Sequence, residues 1–304
     1  MPDNSANNKR IAKNTLLLYF RTLLVMAISL YTSRVVLSTL GVEDFGINNV
    51  VAGVVTMFAF LNSSMATSTQ RYLTYSIGKG DIEDTKIVFA NAKRIHFLIG
   101  IIVVILCESI GVWLINNKLV IPVDRLYAAN WVFQLALLSF FISVTQVPYN
   151  AAIVAHEKMD VFAYVSILDV TLKLIIVYFL QIIPYDKLIV YAVLTFIVVQ
   201  IIRTIYMIYC IKHFPECKGT FVKGNQQFKE MFHFAGWNLF GSLAWMLRDQ
   251  GVNMVLNVFF GPVVNAARGV AMQVSHAINS FVGNFTTALN PQITKNYAQG
   301  KTVS

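Results

Sequence analysis

The chain has 304 residues, of which 56% are hydrophobic and only 13% are charged, and its mean hydropathy is +0.61. A soluble domain carries roughly a quarter charged residues, so this chain has too little charge to cover a surface in contact with water. The net charge of +9 would fit a nucleic-acid-binding protein, but most Lys and Arg residues flank apolar runs. That placement is typical of a membrane protein and argues against nucleic acid as a partner.

The apolar residues form runs of about 20, which is the length that a helix needs to cross the hydrocarbon layer of a bilayer. These runs do not alternate with polar residues, as the strands of a membrane β-barrel would. We therefore predict an all-α polytopic membrane protein with about eight spans. The predicted spans are 15–39, 45–69, 95–116, 127–150, 161–183, 188–212, 232–258 and 263–289. Turn-forming residues separate them, including Gly261 and Pro262 before the last span.

The distribution of Lys and Arg predicts the orientation. One set of connectors, which includes the N-terminus, contains fifteen: Lys9, Arg10, Lys13, Arg71, Lys79, Lys86, Lys93, Arg94, Lys158, Lys212, Lys218, Lys223, Lys229, Lys295 and Lys301. The opposite connectors contain three, Lys118, Arg125 and Lys187. The positive-inside rule then places both ends of the chain in the cytoplasm. The first apolar run is too long for a signal peptide and has no small-residue cleavage site, so we expect it to be retained.

An offset of 220 residues aligns the start of the chain with its last part. Gly41 then meets Gly261 and Gly80 meets Gly300, and glycines in loops often mark turn geometry. Six spans that restart are the plan of a carrier with two parallel bundles. The predicted organisation is a cytoplasmic segment (1–14), a six-helix bundle (15–212), a cytoplasmic loop (213–231) and the first two helices of a second bundle (232–304). We thus expect a fragment or a truncated form of a protein of about twelve spans.

Charged residues within the predicted spans are the candidate functional residues, because each costs on the order of 3 kcal/mol to insert near the centre of a helix. The basic ones, assigned to an anion-binding cavity, are Arg21, Arg34, Lys173, Arg203, Arg248 and Arg268. The acidic ones, candidates for coupling to H⁺ or Na⁺, are Glu108, Asp169 and Asp249. Arg34, Arg203 and Arg268 lie where a long side chain can also reach the headgroups. Asp169 and Lys173 are four residues apart and can equally form a local pair.

Small polar side chains concentrate on the second and the eighth predicted spans. The positions assigned to a hydrated cavity wall are Asn48, Asn62, Ser63, Thr67, Gln273, Asn279 and Asn284. Hydrogen bonds between neighbouring helices are the alternative role for such residues. With six cations against three acids inside the spans, the pattern favours an anionic cargo over a cationic drug.

The sequence shows no pattern typical of an enzyme. It has no phosphate-binding glycine loop, its five histidines are dispersed, and Cys107, Cys210 and Cys217 have no metal-ligand spacing and are interpreted as free thiols. We therefore predict no catalytic residue, no bound metal and no organic cofactor.

The first two spans and their loops carry the most distinctive motifs. These are RTLL at 21–24, SRVVL at 33–37, LGVEDFG at 40–46 and FLNSSMATSTQRY at 60–72. They resemble bacterial polysaccharide-export flippases of the O-antigen type, which belong to the superfamily that also contains multidrug extrusion carriers and the lipid II flippase. The span pattern agrees along essentially the whole chain, whereas the motifs agree in the first two spans.

That resemblance implies two six-helix bundles around a central cavity in the bacterial inner membrane. The cargo would be an anionic undecaprenyl-pyrophosphate-linked oligosaccharide, moved to the outer leaflet by alternating access and coupled to a cation gradient. Arg21, Arg34, Arg248 and Arg268 are the positions that the resemblance assigns to the pyrophosphate and acidic sugars. Membrane lipid and, in lipopolysaccharide assembly, a glycan polymerase or glycosyltransferase would be the partners.

Two other functions remain open. A cation-coupled multidrug exporter of the same fold would have mainly acidic side chains in its cavity. A scaffold within a glycan-assembly complex, which does not transport, would tolerate neutralisation of Arg21, Lys173 and Arg248 together.

Overall fold

The computed structural model describes residues 4–119, 121–218 and 225–300. For some residues of the last helix the side chains are not described, and the predicted site residues Asp249 and Gln273 are two of these. The described residues form helices and turns without a strand. The helices are α1 (Asn4–Thr56), α2 (Ala59–Lys79), α3 (Ile82–Leu106), α4 (Val112–Asn117), α5 (Leu126–Ala155), α6 (Met159–Ile182), α7 (Lys187–His213) and α8 (Asn225–Ala298). A π-helical turn, Cys107–Gly111, joins α3 to α4, so that the two cross as one unit.

Helix α1 contains two passes, because Gly41 leaves helical geometry at φ +83° and ψ 169°. Before Gly41, Arg10 pairs with Glu157 at one end of the molecule. Just after it, Asp44 pairs with Arg125 at the other end. The chain then runs back through α2. We call these two ends the basic end, which holds Arg10 and Glu157, and the Arg125 end.

The second pass is longer than predicted. It runs from Gly41 to the end of α2 at Lys79, whereas the sequence predicted 45–69. The helix is interrupted in between, where the amide of Phe58 bonds to the carbonyl of Val55 at 3.1 Å and the amide of Leu61 bonds to Phe58 at 3.0 Å. At the basic end, the backbones of Gly78 and Lys295 approach closely.

Five helical segments of the described chain are long and apolar enough to cross a membrane. They are Lys9–Val55, Ile82–Asn117, Val123–Ala155, Met159–Ile182 and Lys187–His213. Helix α5 lies at the centre of the core, where Phe133, Val144 and Ala152 are fully buried. Asp81 caps α3 and Asp186 caps α7 through bonds to backbone amides near each helix start. Helix α7 begins where the sequence predicted, whereas α3 begins at Ile82, well before the predicted start of its span at residue 95.

The two spans predicted on either side of Gly261 and Pro262 both lie within α8, whose limits are Asn225 and Ala298. A straight helix would separate Phe234 from Tyr297 by about 95 Å. Yet Phe234 lies 5.7 Å from Tyr72, and Tyr297 lies 6.4 Å from Tyr75, between ring centroids. Since the two tyrosines are one turn apart on α2, both ends of α8 reach the basic end.

The segment α8 therefore reverses direction between Phe234 and Tyr297, and its two arms each run the length of the bundle. With the two passes up to Lys79 and one each for α3–α4, α5, α6 and α7, the described chain makes the eight predicted passes. The first arm of α8 packs on α2 through Phe234, and the second packs on α1 through Ala288 and Leu18. Gly80 and Gly300, which the 220-residue repeat equates, share a left-handed backbone at φ +76° and +67°.

Candidate functional site

A polar cavity of about 240 Å³ lies between α1, α6 and α7. Its lining residues are Ser29, Thr32, Ser33, Val36, Phe45, Asn48, Asn49, Val170, Lys173 and Tyr191. Both passes of α1 contribute, because the bend at Gly41 brings the helix back beside itself. Of the predicted site residues that the structure describes, Asn48 and Lys173 line this cavity together.

Lys173 is held by an acid on its own helix. Its Nζ lies 2.8 Å from Oδ2 of Asp169, one turn earlier on α6, as their spacing predicts. The side chain of Lys173 is still 37% exposed, so the ammonium faces the cavity with donors to spare. An anion that enters the cavity can therefore bind Lys173 in competition with Asp169.

Arg21 lies at the interface of α1 and α6. Its Cζ is 4.6 Å from the ring centroid of Phe162, which is a cation–π contact. Its Nε is buried and has no hydrogen-bond partner. A buried donor without a partner costs free energy on the order of 1–3 kcal/mol, and an anionic oxygen that binds Nε would recover it. The same holds for Arg203 on α7, whose Nε is also buried without a partner.

The other predicted cations lie apart from this cavity. Arg34 is exposed on the first pass of α1, Arg248 is exposed on α8, and Arg268 is half-buried there. None of the three is among the residues that line the cavity beside Lys173. The structure thus brings Arg21 and Lys173 to the contact between α1 and α6 and leaves these three elsewhere.

Two of the predicted wall residues join neighbouring helices. Asn62 donates a hydrogen bond of 3.3 Å to Ser143 on α5, and Asn284 donates one of 2.8 Å to Thr22 on α1. Such contacts are the alternative role that the sequence left open for polar residues in spans. For Asn62 the carbonyl oxygen stays buried without a partner.

The remaining wall residues are exposed and bond within their own helices. Ser63 donates to the carbonyl of Phe60 at 3.0 Å, and Thr67 donates to that of Ser63 at 3.1 Å. Asn279 donates to Ser275 at 3.4 Å. Their exposed positions present polar side chains on α2 and on the second arm of α8.

The predicted acids lie in different surroundings. Glu108 is exposed in the π-helical turn and accepts a hydrogen bond of 3.2 Å from Gln134 on α5. Asp169 is bound to Lys173, as described above. The three cysteines are free and buried, and the described residues contain no group of three His, Cys, Asp or Glu side chains that could hold a metal ion.

Sequence reasoning missed an ion cluster at the Arg125 end. Arg125 lies 2.6 Å from Asp44 and 2.6 Å from Asp186, and so ties the start of α5 to the second pass of α1 and to the start of α7. Burial favours a higher pKa for Asp186, but hydrogen bonds from Arg125 and two backbone amides outweigh it and lower the pKa below its usual value. In the sequence Asp44 is 81 positions from Arg125 and Asp186 is 61 positions from it, so no local pattern could reveal these pairs.

Sequence reasoning also missed Glu157, which lies in the turn between α5 and α6. It is bound by Arg10, Gln292 and Lys295, from the two ends of the chain. We counted Arg10 and Lys295 among the orienting cations, whereas the structure shows that they also form long-range ion pairs.

Comparison with known proteins gives one family match. The model of a family described as polysaccharide biosynthesis protein matches residues 11–297. No curated protein sequence matches the chain at a significant level.

Solved structures agree with the fold. An outward-facing multidrug resistance MATE transporter of the MOP superfamily superposes with a TM-score of 0.80 at 14% identity, over 96% of this chain and 65% of that chain. A MOP superfamily transporter from Pyrococcus furiosus, described by a reversed polarity of its binding pocket, gives 0.79 at 14% identity, over 96% and 65%. A mutant MATE transporter from Vibrio cholerae gives 0.78 at 17% identity, over 97% and 67%. The chain thus spans about 65% of the length of the first two structures.

Proposed function

Since this chain belongs to the polysaccharide biosynthesis protein family, we propose that it acts in a flippase for an anionic, undecaprenyl-pyrophosphate-linked oligosaccharide. The cargo would move from the cytoplasmic to the outer leaflet of the bacterial inner membrane by alternating access. The basic end would face the cytoplasm, because it carries most of the orienting cations. The second bundle of such a carrier would begin with α8.

The main support for the proposal is a pair of cations, Arg21 and Lys173, at the contact between α1 and α6. Arg21 lies against Phe162, and Lys173 follows eleven residues later on α6, which is about 16 Å along the helix. A pyrophosphate that leaves the basic end would meet first the guanidinium and then the ammonium. Charge-assisted hydrogen bonds to phosphate oxygens are among the strongest in proteins, and a cationic drug would be repelled by the guanidinium of Arg21.

The bond between Lys173 and Asp169 offers a route to coupling. While Asp169 is ionised it neutralises Lys173, and a proton or a sodium ion on Asp169 would release the ammonium for the cargo. The same ion gradient could then drive the cargo outward. Glu108 is the second acid that could take part, because it is exposed and bound only to a neutral amide in the described contacts.

The test is complementation of a bacterium that lacks the gene for this chain. We expect Lys173→Met to reduce surface polysaccharide at least tenfold and to leave the lipid-linked precursor on the cytoplasmic face. The matched control is Lys86→Met, because Lys86 makes an equivalent pair with Glu83 at 2.6 Å outside the cavity. Normal surface polysaccharide in the Lys173→Met strain, at equal protein level, would contradict the proposal.

The multidrug exporter remains the second candidate, because the fold is shared with multidrug carriers. It predicts that deletion of the gene raises drug sensitivity and leaves the surface polysaccharide intact. The same deletion strain therefore separates the two functions. Partnership with a glycan polymerase or glycosyltransferase would show as co-purification of the full chain with these enzymes from native membranes.

A further inference from the structure

Glu157 is the centre of a buried ion cluster at the basic end. Its side chain is only 4% exposed. Oε1 lies 2.8 Å from Nζ of Lys295, and Oε2 lies 2.9 Å from Nε of Arg10 and accepts a hydrogen bond of 3.2 Å from Gln292. The carboxylate thus uses both oxygens, and its partners come from the first turns of α1 and the last turns of α8.

The backbone at Glu157 is strained as well. Its φ is +59°, and it is the one non-glycine residue with positive φ among the residues that the structure describes. A side chain in this region costs roughly 1–2 kcal/mol, and a buried carboxylate is unfavourable unless it is paired. Strain of this kind persists where surrounding contacts hold it, often at switch regions. Here the ion pairs with Arg10 and Lys295 supply those contacts.

The partners of Glu157 divide into two groups. Arg10 is on α1, which packs with α5 and α6 in the first bundle. Gln292 and Lys295 are on the second arm of α8, which the 220-residue repeat places in the second bundle. If the two bundles separate at the basic end, Glu157 keeps Arg10 and loses both partners on α8. The ion pair between Glu157 and Lys295 is then a bond between the bundles.

The ion pair between Glu157 and Lys295 lies beside further contacts of α8 with α1 and α2. Beside it, a Cβ on Gly78 would lie 2.9 Å from Cα of Lys295, so α2 and α8 touch backbone to backbone. Further from the basic end, Ala288 packs on Leu18, and Asn284 bonds to Thr22. The second arm of α8 therefore closes against α1 and α2 over about four turns, with Glu157 near its end.

We propose that Glu157 is a latch that closes the basic end, and that its bond to Lys295 must break whenever the carrier opens there to admit cargo. The proposal rests on the alternating access of the proposed function but not on the identity of the cargo. Glu157→Gln would weaken the closed state, because the amide keeps one hydrogen bond and loses both charge attractions.

The experiment measures the distance between the bundles directly. Spin labels on the exposed positions Lys158 and Ile293, in the full chain with its three cysteines replaced by alanine, report on the two sides of the latch by pulsed electron resonance. We expect Glu157→Gln and Lys295→Met to raise the population at longer distances relative to the parent by on the order of tenfold, which corresponds to about 1.4 kcal/mol.

The matched control is Glu216→Gln. Glu216 is also 4% exposed and lies 2.6 Å from His156. Its segment follows α7 and packs on α3 and α7 of the first bundle, so the distances should not change. Unchanged distances in Glu157→Gln, or an equal change in Glu216→Gln, would overturn the latch. Surface polysaccharide is scored separately, in the parent and in the deletion strain. A distance shift in Glu157→Gln together with surface polysaccharide that does not depend on the gene would leave the latch standing and reject the cargo.

Discussion

Asn284 on the second arm of α8 donates a hydrogen bond of 2.8 Å to the hydroxyl of Thr22 on α1, which lies 262 positions earlier in the chain. Thr22 in turn donates to the carbonyl of Leu18 at 2.9 Å. The bond places the eighth pass beside the first. It also assigns to Asn284 a contact between helices, where the sequence favoured a cavity wall.

Removal of this bond should loosen the α1–α8 contact. We expect Asn284→Ala to lower the unfolding free energy by about 1 kcal/mol, since hydrogen bonds between membrane helices contribute roughly 0.6–2 kcal/mol. A double-mutant cycle with Thr22→Val, read from thermal unfolding in detergent, isolates the pair. Asn279→Ala is the control, because Asn279 bonds at 3.4 Å to Ser275 on its own helix. Additive effects of the two substitutions would show that the bond contributes nothing.

The bend in α1 depends on the backbone of Gly41. With φ at +83° an alanine is strained even though nothing lies within 4 Å of the added Cβ. We expect Gly41→Ala to destabilise the protein by roughly 1–2 kcal/mol. Gly46→Ala, five residues later, also meets open space and has no positive φ, so its melting temperature should match that of the parent. Equal melting temperatures for both variants would contradict a role for the bend at Gly41.

The close approach of α2 and α8 depends on Gly78. Its added Cβ would lie 2.9 Å from Cα of Lys295 and 2.9 Å from Cβ of Ala298, and a backbone atom cannot move aside as a flexible side chain can. Gly78→Ala should therefore separate the helices and lower the melting temperature by several degrees. Gly53→Ala, whose Cβ meets nothing within 4 Å, is the control. A Gly78→Ala protein as stable as the Gly53→Ala protein would show that the approach is not tight.

The cluster around Arg125 predicts a dependence of stability on acid pH. Because the folded protein lowers the pKa of Asp186, its ionised form stabilises the fold at neutral pH, and this stabilisation is lost as the pH falls through the lowered value. We expect Asp186→Asn to lower the melting temperature at pH 7 and to have a smaller effect at the acid end of a titration. Asparagine can still cap α7, so the difference isolates the charge.

The control for that titration is Asp124→Asn, at an exposed carboxyl two residues into the turn that precedes α5. Its melting temperature should follow that of the parent at every pH. If Asp186→Asn lost the same stability at acid and neutral pH, the ion pair with Arg125 would not be the cause.

The eight passes could be predicted because long apolar runs and the positions of Lys and Arg are local properties of the sequence. The ion pair between Asp169 and Lys173 could likewise be predicted, because the two residues are four positions apart on one helix. The packing of the two arms of α8 at the basic end was not, because it depends on contacts between residues far apart in the chain. Partners such as Glu157 and Lys295 are 138 positions apart, and only packing brings them together.

The same limit applies to the site. The sequence identified six cations inside spans but could not say which share a space. The structure places Lys173 in a polar cavity with Asn48 and leaves Arg21 with an unpartnered buried donor, while Arg34 is exposed and does not line that cavity. The sequence predicts how deep within a span a charged residue lies. It does not predict which face of the helix packs on a neighbour, because that depends on the whole bundle.

The most direct test of the account is transport by the purified full chain in proteoliposomes, with a labelled undecaprenyl-pyrophosphate oligosaccharide whose exposure on the outer surface is followed in time. We predict that the chain moves this lipid and that Arg21→Gln together with Lys173→Met slows the movement at least tenfold, which is a loss of about 1.4 kcal/mol of stabilisation. Movement of the anionic lipid at an unchanged rate in the double variant would contradict a cation-lined path for the cargo.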